Sequence, residues 1–289
     1  MATRAPRFPM KGALRSDQSI GVIILDQWLL AYAVVGVIVG LFAGMLGVGG
    51  GAIVVPMMTD LFTRQGFDAS HVLHVALGTC MGTIVLTSAS SLRAHHQHGA
   101  VNWGVVRGMT PGLIAGGFAG SWVARYIPTV PLAIVFAVFV CYSATQMLVG
   151  WKPRAGAHLP GPLGLFIAGF LICAFSAMVA IGGAALTIPF LVFCALPFHT
   201  AIGTAAALGF PIAVAGTLGF IVNGWSVPGL PDPHLGYVYL PAFAALGVAS
   251  VFMAPLGARM AHRSGATLLR RVFAAMMYVM TIKLVVGLL

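Results

Sequence analysis

Acidic residues are almost missing from this chain. Its 289 residues include no glutamate and five aspartates. Asp60, Asp68 and Asp232 are predicted to lie in loops, Asp17 in an N-terminal tail, and Asp26 at the start of the first apolar segment. Transporters of protons or sodium commonly place carboxylates inside the membrane. The lack of a carboxylate pair at that depth argues against a cation as substrate and favours something negative.

Charged residues of either sign are scarce. They make up 7% of the chain, whereas 60% is hydrophobic; soluble proteins carry about 25% charged residues. A bilayer explains this composition, because most of the surface would then face lipid. Long unbroken apolar runs such as 132–149 do not alternate as barrel strands do. The chain is therefore predicted to be an all-α polytopic membrane protein that binds no nucleic acid. The net charge of +10 agrees with an anionic substrate, but basic cytoplasmic loops explain it as well.

The patterns of redox, metal and catalytic sites are also missing. The four cysteines lie in apolar segments without C-x-x-C spacing and are predicted to be buried thiols. His95, His96 and His98 have a metal-like spacing, but without cysteine partners a solvated turn is the better interpretation. No nucleophile–base pair is recognisable. We predict no enzyme, no catalytic residue, no metal and no cofactor, and we make no prediction of oligomeric state.

Ten apolar segments follow one another along the chain. They span 20–46, 52–62, 71–92, 103–124, 130–150, 162–180, 184–196, 199–222, 237–258 and 267–288. A full crossing needs about 20 residues, so the second and seventh are too short and are predicted to be broken or re-entrant halves. The predicted organisation is a basic, disordered cytoplasmic tail (1–19), a first transmembrane repeat (20–150), a connecting loop (151–161) and a second repeat (162–289).

Five segments in each half predict two inverted repeats, because an odd number turns the second half upside down. Eight to ten segments are expected to cross. The orientation stays open. The basic tail favours a cytoplasmic N-terminus, whereas a ten-span count puts Arg259, Arg263, Arg270 and Arg271 on the outside.

The same interruption occurs once in each half. A Gly-Gly pair precedes a proline by six residues, first at Gly50 and Pro56 and again, 133 residues later, at Gly183 and Pro189. Glycine and proline weaken helices, and lipid offers exposed backbone no partner. Paired breaks in corresponding places of two halves are the best sequence pointer to a transporter's substrate site.

The chemistry predicted for these breaks is anion binding. A helix that starts after a break presents free N–H groups and a positive dipole end, which bind anions without a charged side chain. Hydroxyls of Thr79 and Thr204 are expected to complete the shell; a bond to a carbonyl one turn back is an equally good interpretation. The predicted substrate-binding residues are Gly49, Gly50, Gly51, Thr79, Gly182, Gly183 and Thr204. Pro56 and Pro189 are expected to fix the exits of the broken segments.

Two weaker interpretations concern neighbouring residues. The pattern at 47–52 loosely matches a dinucleotide-binding loop, but that loop needs a preceding strand, a following helix and a later acid. His71, His74 and His199 stand just before the Gly-Thr pairs and are candidates for a role in protonation or gating.

Together these motifs resemble the sulfite exporter TauE/SafE family, also called the toluene sulfonate uptake permease family. The resemblance extends over residues 30–289. It rests on the two breaks, the Gly-Thr pairs at 78–79 and 203–204, the segment 98–103 (HGAVNW), and the runs 255–259 (PLGAR) and 269–273 (LRRVF). The second half departs from the first at Ala180 and Ala184, where the first has Gly47 and Gly51. One break is thus expected to approach a substrate more closely than the other.

The resemblance implies a multi-pass transporter of the bacterial inner membrane that moves sulfur-containing anions such as sulfite, sulfoacetate or other organosulfonates. It does not fix the direction of transport; export is expected because an interior-negative membrane potential drives a monoanion outward. Its site is expected where the two inverted repeats meet, and its partners are a small anion and the lipid bilayer. A channel-like permease for another small anion or solute is the alternative. An intramembrane enzyme is a distant third.

Overall fold

The computed structural model describes residues 13–46, 50–149, 158–263 and 266–288. Over these residues the chain forms ten helices and one β-hairpin, each of whose strands has two residues. The helices are α1 (Ala13–Leu46), α2 (Gly51–Arg64), α3 (Val72–Gln97), α4 (Trp103–Tyr126), α5 (Thr129–Val149), α6 (Pro162–Val179), α7 (Ala184–Phe193), α8 (Phe198–Gly224), α9 (Leu240–Arg263) and α10 (Ala266–Leu288). The hairpin pairs β1 (His234–Leu235) antiparallel with β2 (Val238–Tyr239). The all-α prediction is thereby confirmed.

The predicted boundaries need three corrections. Helix α1 begins at Ala13, so residues 13–19 belong to it, and the rest of the predicted tail lies outside the described residues. The segment predicted as helix from 237 starts with strand β2, and helix α9 begins only at Leu240. Asp60 lies inside helix α2 rather than in a loop. Of the connecting loop 151–161, only 158–161 is described, and the side chains of Arg259, Arg263 and Arg270 lie outside the description.

Four of the described helices are long and apolar enough to cross a membrane: α3, α5, α6 and α8. Helix α7 and parts of α1 and α9 are apolar but shorter. Multi-pass membrane character is therefore supported by the helices themselves. The count of eight to ten crossings stays a prediction.

Glycines allow close packing in two helix pairs. Gly112, Gly116 and Gly120 of α4 lie against carbonyl oxygens of α6, and a Cβ built at any of them would come within 2.2 Å of such an oxygen. Gly36 and Gly40 of α1 likewise face the backbone of α9, where a built Cβ would lie 2.7 Å and 2.6 Å from carbonyl oxygens. Small residues let transmembrane backbones approach in this way, so α4 pairs closely with α6, and α1 with α9.

Candidate functional site

Both predicted interruptions are real breaks between helices. Gly50 precedes α2 with φ 63°, and Gly183 precedes α7 with φ 73°. This left-handed conformation favours glycine, because a Cβ would strain it. Ala180, which ends α6, also has a positive φ of 44°. Glycine therefore decides where both short helices begin.

The first N–H groups of the two short helices have no acceptor within the described part of the chain. The Gly50 carbonyl accepts from the N–H groups of residues 53 and 54, and the Gly183 carbonyl accepts from residues 186 and 187. For the N–H groups of residues 51, 52, 184 and 185, no acceptor is found among the described residues, and no side chain caps either helix. Such groups give a helix N-terminus its positive character.

The two breaks lie against each other. A Cβ built on Gly51 would lie 2.1 Å from the Ala180 carbonyl oxygen and 3.3 Å from the Ile181 Cα atom. The start of α2 therefore touches the backbone of the second break directly. Two further helices border the same place: the Cys80 thiol of α3 is 3.7 Å from the Ala180 oxygen, and a Cβ on Gly209 of α8 would lie 3.4 Å from the Gly182 oxygen.

The breaks are enclosed by apolar and hydroxyl-bearing side chains. Residues 50–52 and 180–184 are buried, and Asp, Arg and Lys do not occur among the buried residues that the structure describes. Apart from the buried His74, peptide dipoles are therefore the source of positive potential among the described buried residues. Gly49, one of the predicted binding residues, lies outside the described residues, as do Gly47 and Val48.

The predicted threonines fasten one half of the chain to the other. The fully buried Thr79 hydroxyl oxygen accepts a hydrogen bond from the Tyr239 backbone N–H at 3.0 Å. The Thr204 hydroxyl oxygen, equally buried, accepts from the Asn102 backbone N–H at 2.9 Å. Sequence reasoning considered a substrate contact or a local carbonyl bond for these hydroxyls and missed this long-range contact. They position the start of α4 and the segment before α9.

Glycines beside these threonines make a matching pair of contacts. A Cβ on Gly78 would lie 2.6 Å from the Tyr237 carbonyl oxygen, and a Cβ on Gly203 would lie 2.4 Å from the Ala100 carbonyl oxygen. Each Gly-Thr pair thus receives an extended segment of the opposite half, through one backbone carbonyl and one backbone N–H.

Removing either threonine hydroxyl is expected to leave a buried N–H unpaired. Thr79→Val and Thr204→Val keep the side-chain shape, and each should lower the free energy of unfolding by about 1–3 kcal/mol. Thr→Ser at the same positions keeps the acceptor and is the matched control. Unfolding of the purified protein in mixed detergent measures the difference. Valine variants as stable as the serine variants would contradict the role given to these hydroxyls.

The two prolines lie inside the short helices rather than at their exits. Each is the sixth residue of its helix, and α2 continues eight residues past Pro56, as α7 continues four past Pro189. Proline has no N–H, so the carbonyls of Ala52 and Ala185 lose their usual intrahelical donor. The breaks themselves are made by the glycines.

Other singled-out side chains lie away from the breaks. The Asp60 carboxylate of α2 pairs with Lys283 of α10 at 2.9 Å and with Arg64 at 3.1 Å, and all three groups are partly exposed. Such exposed pairs contribute little to stability. His95 and His96 lie in the last turn of α3, with the His96 ring against Trp103. No group of three metal-binding side chains is found in the part of the chain that the structure describes.

Two polar residues were given no role by the sequence. The buried Asn223 amide donates to the Ser121 hydroxyl and to the Gly219 carbonyl, which links α8 to α4. Asn102 caps α4, because its side-chain oxygen accepts from the Val105 N–H at 3.2 Å. The Asn102–Trp103 sequence before an apolar segment is an N-cap signal that could have been recognised.

Comparison with known proteins identifies a family and several relatives of this chain. The family model described as sulfite exporter TauE/SafE matches residues 32–284. A probable membrane transporter protein of Haemophilus influenzae is 33% identical over 89% of this chain and 98% of the relative. One of Methanocaldococcus jannaschii is 24% identical over 86% of this chain and 91% of the relative. Bacillus subtilis YdhB, also a probable membrane transporter protein, is 28% identical over 71% of this chain and 80% of the relative. No solved structure matches.

Proposed function

The chain belongs to the sulfite exporter TauE/SafE family, and from this premise we propose that it is a secondary transporter that exports sulfur-containing anions from bacteria. Membrane transport itself follows from the family and from the curated relatives, as does the absence of an enzymatic role. The proposal adds the substrate class (sulfite, sulfoacetate or another organosulfonate), the direction, the bacterial inner membrane, and a site at the two breaks.

The contact between Gly51 and Ala180 is the observation that supports this site most strongly. It brings the N-terminus of α2 to the second break, from which α7 starts. Helix N-termini bind anions through free N–H groups and the helix dipole. Discontinuous helices serve this purpose for the anionic groups of substrates in other transporters. An anion would be held here without a buried lysine or arginine.

The matching contacts of the Gly-Thr pairs support an inverted repeat. Gly203 and Thr204 follow Gly78 and Thr79 by 125 residues, and their partners are exchanged between the halves. The partner segments keep a constant spacing too, since Tyr237 and Tyr239 follow residues 100 and 102 by 137. An exchange of this kind is what a two-fold relation between two halves produces. The proposed site then lies where the repeats meet.

Flux of a monoanion is expected to respond to membrane voltage. A single charge gains about 2.3 kcal/mol per 100 mV, which corresponds to roughly a 50-fold gradient at 1.4 kcal/mol per decade. In proteoliposomes clamped with potassium and valinomycin, a shift of about 100 mV, negative inside, should therefore support about a 50-fold outward accumulation. An accumulation ratio that does not change with voltage would contradict uncoupled export of a charged species.

The substrate class is tested by reconstituting the purified chain. Efflux of sulfite, sulfoacetate, taurine, sulfate and thiosulfate from loaded liposomes is compared with that from protein-free vesicles. The proposal expects one or more of the sulfur anions to leave faster with the protein present, and the rate to saturate with concentration. Flux that rises linearly would indicate a channel-like permease, and no flux for any of the anions would remove the proposed substrate class.

A further inference from the structure

His74 is a buried histidine whose ring interacts with the backbone of Ala124 and Ile127 at the end of α4, and one of its ring nitrogens has no hydrogen bond of ordinary geometry to a described residue. It lies in the first turn of α3 and is 2% exposed. Its Nε2 atom is 3.0 Å from the Ala124 carbonyl oxygen of α4. A carbonyl can only accept, so Nε2 carries the proton and, in the neutral ring, Nδ1 is a bare acceptor. For Nδ1 no partner is found among the described residues, and a buried polar atom without a partner is rare enough to need an explanation.

The surroundings of His74 contain few charges. Its own segment contributes the His71 ring at 6.1 Å, and the hairpin contributes the Tyr237 ring at 5.4 Å. Arg125, at the end of α4, is exposed and within electrostatic range of the Tyr237 hydroxyl. Asp68 interacts with His71 but is exposed, and the Ser70 N–H bonded to it lowers the pKa of that carboxyl. Among the described residues no carboxylate forms an ion pair with His74.

A proton on His74 would therefore lack a fixed counter-charge, and an anion at the breaks would supply one. Cys80, which contacts the second break, follows His74 by six residues of the same helix, or about 9 Å at 1.5 Å per residue. This rise along the helix axis sets the scale of the separation between the two places. For two opposite unit charges about 9 Å apart in an effective dielectric constant of about 20, the attraction changes an affinity on the order of tenfold.

The second half carries a histidine in the corresponding place. His199 precedes Thr204 by five residues, as His74 precedes Thr79. It lies in the first turn of α8, is exposed, and is within electrostatic range of His95 near the other end of α3. His95 lies 21 residues beyond His74 on α3, so these two positions are about 30 Å apart along the helix. That distance is close to the thickness of the hydrocarbon core, and His199 lies near the His95 end.

We propose that His74 is a proton-binding site that raises the affinity of the transporter for its anion, and that His199 is its counterpart at the opposite membrane face. This inference rests on the proposed function and adds the proton as a second ligand. Linkage is reciprocal: a proton that raises anion affinity is itself bound more tightly when the anion is present. In this conformation the histidine at one membrane face, His74, is buried, and the histidine at the other face, His199, is exposed.

The test uses the full chain in proteoliposomes at clamped voltage. The probes are thiosulfate and ethanesulfonate, whose charges stay constant between about pH 5.5 and pH 8. The apparent KM for efflux or uptake is measured while pH is changed on one side only. We expect acidification to lower KM by on the order of tenfold in the wild type. His74→Gln, whose amide can still donate to the Ala124 carbonyl, should remove this dependence on one side, and His199→Gln on the other.

The controls separate this proposal from the transport function. His158→Gln, at an exposed histidine just before α6, should keep the full pH dependence. A wild-type KM that does not change with pH, in the presence of flux, would overturn the proton site and leave the transport proposal intact. If neither probe is carried, ¹⁵N-histidine NMR decides, with the His74 signal identified by its loss in His74→Gln. The spectra are recorded with and without sulfoacetate. Protonation of that signal between about pH 5 and 8 that is favoured by the added anion supports the site, and a signal that stays neutral with the anion present overturns it.

Discussion

Gly51→Ala is expected to lower anion flux at least about 100-fold. The new Cβ would lie 2.1 Å from the Ala180 carbonyl oxygen, whereas nonbonded carbon and oxygen atoms stay more than 3 Å apart. The two breaks would have to separate by about 1 Å, and a displacement of that size at a reacting or binding centre can cost about 100-fold. Both contacting groups are backbone atoms, so no side chain can rotate away. Efflux from proteoliposomes, normalised to folded protein, measures the effect.

The matched control is Gly161→Ala. Gly161 has φ −61°, and a Cβ there would meet nothing within 4 Å. The Gly161→Ala variant should therefore transport at the wild-type rate. Helix content and a single size-exclusion peak establish that Gly51→Ala has folded. A folded Gly51→Ala protein with wild-type flux would show that the contact between the breaks is not part of the transport site.

Gly78→Ala and Gly203→Ala are expected to damage the protein to a similar degree. Their Cβ atoms would lie 2.6 Å and 2.4 Å from backbone carbonyls of the opposite half. Overpacking of this kind costs about 1–3 kcal/mol, occasionally more, and here it would also pull the neighbouring threonine away from its N–H donor. Unfolding in mixed detergent measures the loss of stability, and efflux of the same samples measures the loss of function.

Gly287→Ala is the control for a helical glycine. It lies in the last turn of α10 with nothing within 4 Å of a built Cβ, and alanine favours helix over glycine. Its stability should equal or exceed that of the wild type. If Gly78→Ala were severe and Gly203→Ala harmless, the equivalence of the two halves, on which the inverted-repeat proposal rests, would be lost.

Much of the helical architecture can be predicted from this sequence, because it depends on local features. Ten apolar segments predicted ten helices. The Gly-Gly pairs placed the two breaks within a residue of where α2 and α7 begin. The hairpin before α9 was missed, because an apolar stretch containing Tyr237 and Tyr239 has no helical or strand signature of its own. Asp60 was misplaced for the opposite reason: its charge suggested a loop, yet its carboxylate reaches Lys283 from within a helix.

The candidate site also has features that the sequence determines and features that depend on the tertiary structure. Composition by itself determined that this is a membrane protein, and glycine by itself determined where the short helices start, because hydropathy and backbone freedom belong to single residues and their neighbours. Only the tertiary structure decided that Gly51 touches Ala180, that Thr79 and Thr204 accept from the opposite half, and that His74 is buried while His199 is exposed. Those contacts join residues up to 160 positions apart, and their geometry depends on how the glycine-lined helices pack.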